Sequence, residues 1–159
     1  MFFLSIFIPL ISYLFCVIFK SYLSSKQISL ISCGLLSIAT ILSLISFYFF
    51  NINGDSVVLI SNWISSGSFS VDWSINFNLL SCSMVLMVNF VSTLIHIYSV
   101  GYMNKDPKRS TFMGYLGLFT FFMLLLVSSN NLLQLFLGWE GVGLTSYLLI
   151  GFWNYKNSA

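Results

Sequence analysis

Asn131-Leu132-Leu133-Gln134-Leu135-Phe136-Leu137-Gly138-Trp139-Glu140-Gly141-Val142-Gly143-Leu144-Thr145-Ser146-Tyr147-Leu148-Leu149-Ile150-Gly151 is mostly apolar and carries one acid, Glu140, at its middle. As a helix, 131–151 is about 31 Å long, enough to cross a bilayer, and Glu140 lies roughly 14 Å from its start. No other glutamate occurs in the chain. A carboxylate at that depth costs several kcal/mol, about 3 on insertion scales, unless it is protonated or paired. Such a residue is by default a candidate for function, and the natural chemistry here is proton transfer. The plainer reading is a protonated acid that only donates a hydrogen bond between helices.

Working outward, composition fixes the class. Only 6% of residues are charged and 58% are hydrophobic, where a soluble domain carries about 25% charged residues. The chain reads as an integral membrane protein. Its few basic residues are scattered at the ends of apolar runs, so nothing in them suggests nucleic acid. Cys16, Cys33 and Cys82 each stand alone in an apolar run and read as small fillers. Met1-Phe2-Phe3 opens with no basic residue, unlike a secretory signal, and lacks the Arg-rich character of a transit peptide.

Five apolar runs are long enough to span, at about 2–19, 28–50, 77–100, 111–129 and 131–151. The fold expected is therefore an all-α membrane domain over 1–159. Ser128-Ser129-Asn130-Asn131 reads as a tight turn that makes the last two runs an antiparallel pair. With five alternating spans, Lys20, Lys26, Lys105, Lys108, Arg109 and Lys156 fall on one face, and Asp55 and Asp72 on the other. The positive-inside rule makes the basic face the cytoplasm or matrix and puts the N-terminus outside. Between the second and third runs, Phe69-Ser70-Val71-Asp72-Trp73-Ser74-Ile75-Asn76-Phe77 alternates with period two. With the β-branched stretch before it and Ser65-Ser66-Gly67-Ser68 between, this predicts a β-hairpin at about 57–77 on the outer surface. An amphipathic surface helix is the alternative that the period opposes.

On the 131–151 helix, the face of Glu140 also carries Leu133, Phe136, Leu137, Gly143, Leu144 and Tyr147. The opposite face carries Gln134, Gly138, Gly141 and Thr145, a small-residue stripe that lets a neighbouring helix approach. The third run bears a polar stripe of Asn89, Ser92, Thr93, His96 and Ser99. His96, the lone histidine, is a candidate proton relay placed near the basic end, where water can reach. The alternative is an interfacial histidine bonded to a neighbour. Tyr102, Trp63, Trp73 and Trp153 suit aromatic belts. Lys105-Asp106-Pro107-Lys108-Arg109 reads as a solvated turn. No metal site and no phosphate-binding glycine loop, haem or iron–sulfur signature is found, so no cofactor is expected in this chain. No second charge lies within any span, so the counter-ion of Glu140 is expected from another chain.

The run Gln134-Leu135-Phe136-Leu137-Gly138-Trp139-Glu140-Gly141-Val142-Gly143-Leu144 and the following Ser146-Tyr147-Leu148-Leu149-Ile150-Gly151-Phe152-Trp153 closely resemble the fifth helix of the antiporter-like subunit 5 family of respiratory complex I, the mitochondrial NADH–ubiquinone oxidoreductase. His96-Ile97-Tyr98-Ser99-Val100-Gly101-Tyr102-Met103 and Phe119-Thr120-Phe121-Phe122-Met123 resemble the same family. The likeness is strong from about Trp63 onward and rests on hydropathy alone before it. The resemblance implies a proton-translocating membrane-arm subunit of the inner mitochondrial membrane, in which Glu140 pairs with a lysine two helices later. It implies further that the rest of the subunit is on a separate chain, so that the partners are that chain, other complex I membrane-arm subunits and lipid. Redox chemistry would lie in other subunits. A subunit of a multi-subunit sodium/proton antiporter and a non-transporting structural anchor are the competing readings.

Overall fold

A computed structural model describes residues 2–67 and 69–153. Ser68 of the expected turn and Lys156 of the expected basic face lie outside the described residues. Helix α1 (Phe2–Ile18) runs unbroken through Pro9 and closes in a 3-10 turn at Phe19–Ser21. Helix α2 spans Ser25–Asn53, the hairpin strands are β1 (Ser56–Ser66) and β2 (Phe69–Phe77), and α3 spans Leu79–Tyr102. Helix α4 is Arg109–Val127, and α5 is Leu132–Ile150 with a 3-10 turn at Gly151–Trp153. All five helices are long and apolar enough to cross a membrane, so both the helix count and the hairpin agree with the hydropathy and the period.

Local chemistry sets the ends. Helix α2 starts at Ser25 rather than at 28, because Ser24 and Gln27 form a reciprocal capping box. Gly54, at φ 75°, then ends the helix, its N–H bonding to the Phe50 carbonyl. Asn78 and Asn131 cap α3 and α5 in the same way, each side chain accepting a main-chain N–H from the first turn.

Helix α4 is the hub, packed against α1, α3 and α5. Its Gly114 and Gly117 admit α1 closely: a Cβ on Gly117 would lie 3.1 Å from the Pro9 carbonyl oxygen. Two apolar clusters fill the bundle. Ile6, Ile75, Val85, Phe121, Leu124 and Leu125 sit toward the hairpin, and Cys16, Ile28, Cys33 and Met113 toward the other end. The cysteines are buried and free. Serines cross the apolar interfaces by bonding to their own helix or to each other, as between Ser12 and Ser32 at 2.8 Å. Among the described residues, Lys20, Lys26, Lys105, Lys108 and Arg109 gather at one end of the bundle, and Asp55 and Asp72 at the hairpin end.

Strand β2 is held on two sides. Strand β1 pairs with it antiparallel, with two irregularities in register, and Gly67 at φ 58° opens the connecting turn. Along the other edge runs the α4–α5 connection, where Asn76 N–H donates to the Ser128 carbonyl and Ile75 bridges Ser129. This second neighbour explains why Ser74, on the polar face of the alternation, is buried: Asn130 donates to its hydroxyl, and its own N–H donates to the buried Gln134 side chain. Asn131 ties the two elements together, capping α5 with its Oδ1 and donating from Nδ2 to the Asp72 carbonyl at 2.7 Å. Asn131→Ala removes both bonds and should cost about 2 kcal/mol. A lowered unfolding temperature and faster proteolysis within the hairpin are the expected signs, and an unchanged hairpin would refute the coupling.

Candidate functional site

Helix α5 is laid on α4 by its small residues. Gln134, Gly138, Gly141 and Thr145 are its buried positions, as the 3.6-residue period predicts. A Cβ on Gly138 would come within 2.9 Å of the Leu126 main chain, and one on Gly141 would overlap the Phe122 ring. Glu140 therefore projects away from the bundle. It is exposed on a face with Leu133, Phe136, Leu144 and Tyr147, the last 73% exposed. The described cations stand at the bundle end, a long way along the helices from the centre of α5. Chemically, this face offers a single ionisable oxygen pair in an apolar field, with room beside it for another element.

His96 lies elsewhere. The reading that put it within reach of water is corrected by its burial: it is 0% exposed, because α4 closes over the polar face of α3. Its Nδ1 lies 2.8 Å from the Ser92 carbonyl oxygen. Its Nε2 is buried without a hydrogen bond of good geometry, the Met113 main chain being close by. Asn89, Ser92, Thr93 and Ser99 share that buried face. The packing thus separates the two candidate residues, with α4 between the outward Glu140 and the interior His96.

Thr40 and Thr120 escaped the sequence reading. Thr40 bonds to Thr93 at 2.8 Å and to the Asn89 carbonyl, and Thr120 pairs with Ser92. Thr120 is a lone hydroxyl among apolar neighbours, and Thr40 is one of several hydroxyls in its run, so neither stood out from the sequence. The solvated turn is also corrected at one position. Arg109 is 3% exposed, since the turn folds back and its Nη1 donates to Asn104. Trp153 does sit at the bundle end, its Nε1 donating to Asp106 at 2.9 Å. Among the described residues, no three His, Cys, Asp or Glu side chains come together as metal ligands would.

Two family models match. One, described as the chain 5 N-terminus of NADH-ubiquinone oxidoreductase (complex I), covers residues 63–113. The other, described as the transmembrane part of NADH:quinone oxidoreductase/Mrp antiporter, covers 129–159, and so includes Glu140. Among similar proteins, NADH-quinone oxidoreductase subunit L of Rickettsia bellii is 46% identical over 97% of this chain, which spans 24% of that relative. NADH-ubiquinone oxidoreductase chain 5 of Triticum aestivum is 46% identical over 96% of the chain and 23% of its own length. NADH-ubiquinone oxidoreductase chain 5 of Chondrus crispus is 42% identical over 100% of the chain and 24% of its own length. The likeness thus reaches across α1 and α2, which hydropathy alone had linked to the family. From the motifs on α5 and α3 to nearly the full length of the sequence, the chain belongs to the chain 5 family of complex I and matches its N-terminal part.

Proposed function

We propose that the chain works in the membrane arm of complex I, contributing to proton translocation coupled to NADH oxidation and ubiquinone reduction, with Glu140 holding and releasing the proton. One observation carries this reading: the only acid at the centre of a span is turned outward from its own bundle, on a face otherwise apolar. Left against lipid, its charged form would cost about 3 kcal/mol. A cation at about 4–6 Å would favour that form, and its withdrawal would favour proton uptake. The cation comes from outside the described residues, on a chain that carries the downstream helices of the subunit. Electron transfer and its cofactors belong to other subunits. The plant mitochondrial relatives support a multi-pass protein of the inner mitochondrial membrane. The positive-inside rule then puts the lysine-rich end in the matrix and the N-terminus and hairpin on the intermembrane-space side.

In the assembled complex, a lysine or arginine from beyond residues 2–153 should lie within about 6 Å of the Glu140 carboxyl. A carboxyl facing only lipid would overturn the proposal. A sodium/proton antiporter is the second reading, supported by the mention of Mrp in the description of the model that covers α5. Purification of the chain under mild conditions decides between them: flavin- and iron–sulfur-bearing subunits should accompany it, and their absence would favour the antiporter.

A further inference from the structure

At the lysine-rich end of the bundle, between the start of α4 and the end of α5, lies a cavity of about 330 Å³. Lys20, Lys108 and Thr111 line it from the turn after α1 and from the start of α4, and Tyr147, Leu148 and Gly151 from the end of α5. Tyr147 is two turns from Glu140, about 10 Å along the axis, so the cavity is separate from the carboxyl.

The wall is cationic and rich in donors. Each lysine brings three N–H donors and no acceptor, and among the described residues no acid lines the cavity. The acid of this end, Asp106, has both carboxylate oxygens engaged. Oδ1 accepts from the Lys108 main-chain N–H at 2.9 Å, and Oδ2 from Trp153 Nε1. Helix α4 starts here with no side chain capping it, so the positive end of its dipole is not answered by a cap. Thr111 is an independent sign. Thr120 and Thr145 donate to the carbonyls four residues back in their own helices. Four residues back from Thr111 is Pro107, before α4 begins, and the buried Thr111 Oγ1 has no hydrogen-bond partner among the described residues. Such a hydroxyl in a cationic wall suits an anion that can only accept.

We propose that this cavity binds a phosphate group, carried by an anionic phospholipid. Lys20 and Lys108 face its charge, Thr111 donates to one of its oxygens, and the α4 N-terminus adds its dipole. The depth selects the lipid. Lys108 and Thr111 stand at the start of one span and Tyr147, Leu148 and Gly151 at the end of the next, which is the level of lipid headgroups, outside the hydrocarbon core. A basic pocket between helices at that level suits an anionic headgroup. The acyl chains leave along the crevice between α4 and α5, past Leu148. A soluble phosphate shares the headgroup chemistry but gains nothing from that apolar exit. The site does not depend on the role of Glu140.

The test uses the whole assembly that contains the chain, washed in neutral detergent and then supplied with phosphatidylglycerol, phosphatidylcholine or inorganic phosphate. A structure of the phosphatidylglycerol sample should show a tailed phosphate beside Lys20 and Lys108. A cavity left empty by phosphatidylglycerol overturns the site. Equal filling by phosphatidylcholine overturns the anionic preference, and filling by inorganic phosphate alone overturns the lipid. Two variants test the residues without disturbing the packing. Lys20→Gln removes a charge at an exposed position. Gly151→Leu leaves the charge unchanged and fills open space, since nothing lies within 4 Å of an added Cβ and φ is −77°. Each variant should retain about one anionic phospholipid fewer per assembly, counted by mass spectrometry of the extracted lipid, as expected for a single site. Wild-type retention by either variant overturns the proposal.

Discussion

Glu140→Gln is expected to lower the number of protons moved per NADH oxidised by about tenfold or more, the scale of losing a proton-transfer group. Glutamine has nearly the same shape and keeps a hydrogen-bonding side chain, but it can neither lose a proton nor attract a cation. The architecture makes the result interpretable. Helix α5 is fixed to the bundle by Gln134, Gly138, Gly141 and Thr145, and Glu140 points the opposite way, so the substitution touches none of the contacts that hold the helix. Unfolding temperature and assembly of the chain should stay close to wild type, and both are measured alongside vesicle acidification. Full proton movement by the variant would leave the structural-anchor reading as the better account of this residue.

Gly138→Ala tests the packing itself and should cost about 1–3 kcal/mol, the range for overfilling a tight interface. The new methyl would sit 2.9 Å from the N, Cα and Cβ atoms of Leu126. Because two of those atoms are main chain, the conflict is relieved only by moving α5 off α4. Gly141→Ala meets the Phe122 ring instead, Cγ included; turning the ring about its axis leaves Cγ in place, so Phe122 must change rotamer or α5 must move, and a loss of the same order is expected. Gly34, with nothing within 4 Å of an added Cβ, is the control. Gly34→Ala should be neutral or stabilising by up to about 1 kcal/mol, from helix propensity alone. Equal behaviour of the three variants, measured by thermal unfolding in detergent and by cysteine cross-linking between α4 and α5, would refute the close-approach account.

What was legible in the sequence follows the range of the forces involved. Spans are set by the hydrophobicity of continuous runs, so α1 to α5 could be read before any packing was known. The two faces of α5 were legible because glycines at helical spacing report where a neighbour must come near. The hairpin was legible from the period of Phe69–Phe77. Interior placement was less accessible. A stripe such as Asn89, Ser92, Thr93 and His96 says that one side of α3 is polar, but not whether water, lipid or another helix covers it. That depends on α4, whose Thr120 supplies the answering hydroxyl from far along the chain. Arg109 was misjudged for the same reason: its burial comes from a backfolded turn, a property of Asn104 and Asp106 together with Arg109, and not of charge alone. The capping box at Ser24 and Gln27 could have been found in advance, since its spacing is local.

The way α5 is fastened has a mechanical consequence. Its hydrogen-bonded anchors sit at the two extremities, Asn131 and Gln134 against the hairpin and Trp153 against Asp106, while the stretch between them rests on glycine. Sliding or rotating the rod would strain both fastenings, whereas bowing at mid-length disturbs neither. A pull on the carboxyl at that midpoint therefore works against the close glycine contact with α4 and leaves the hydrogen bonds at the two ends in place.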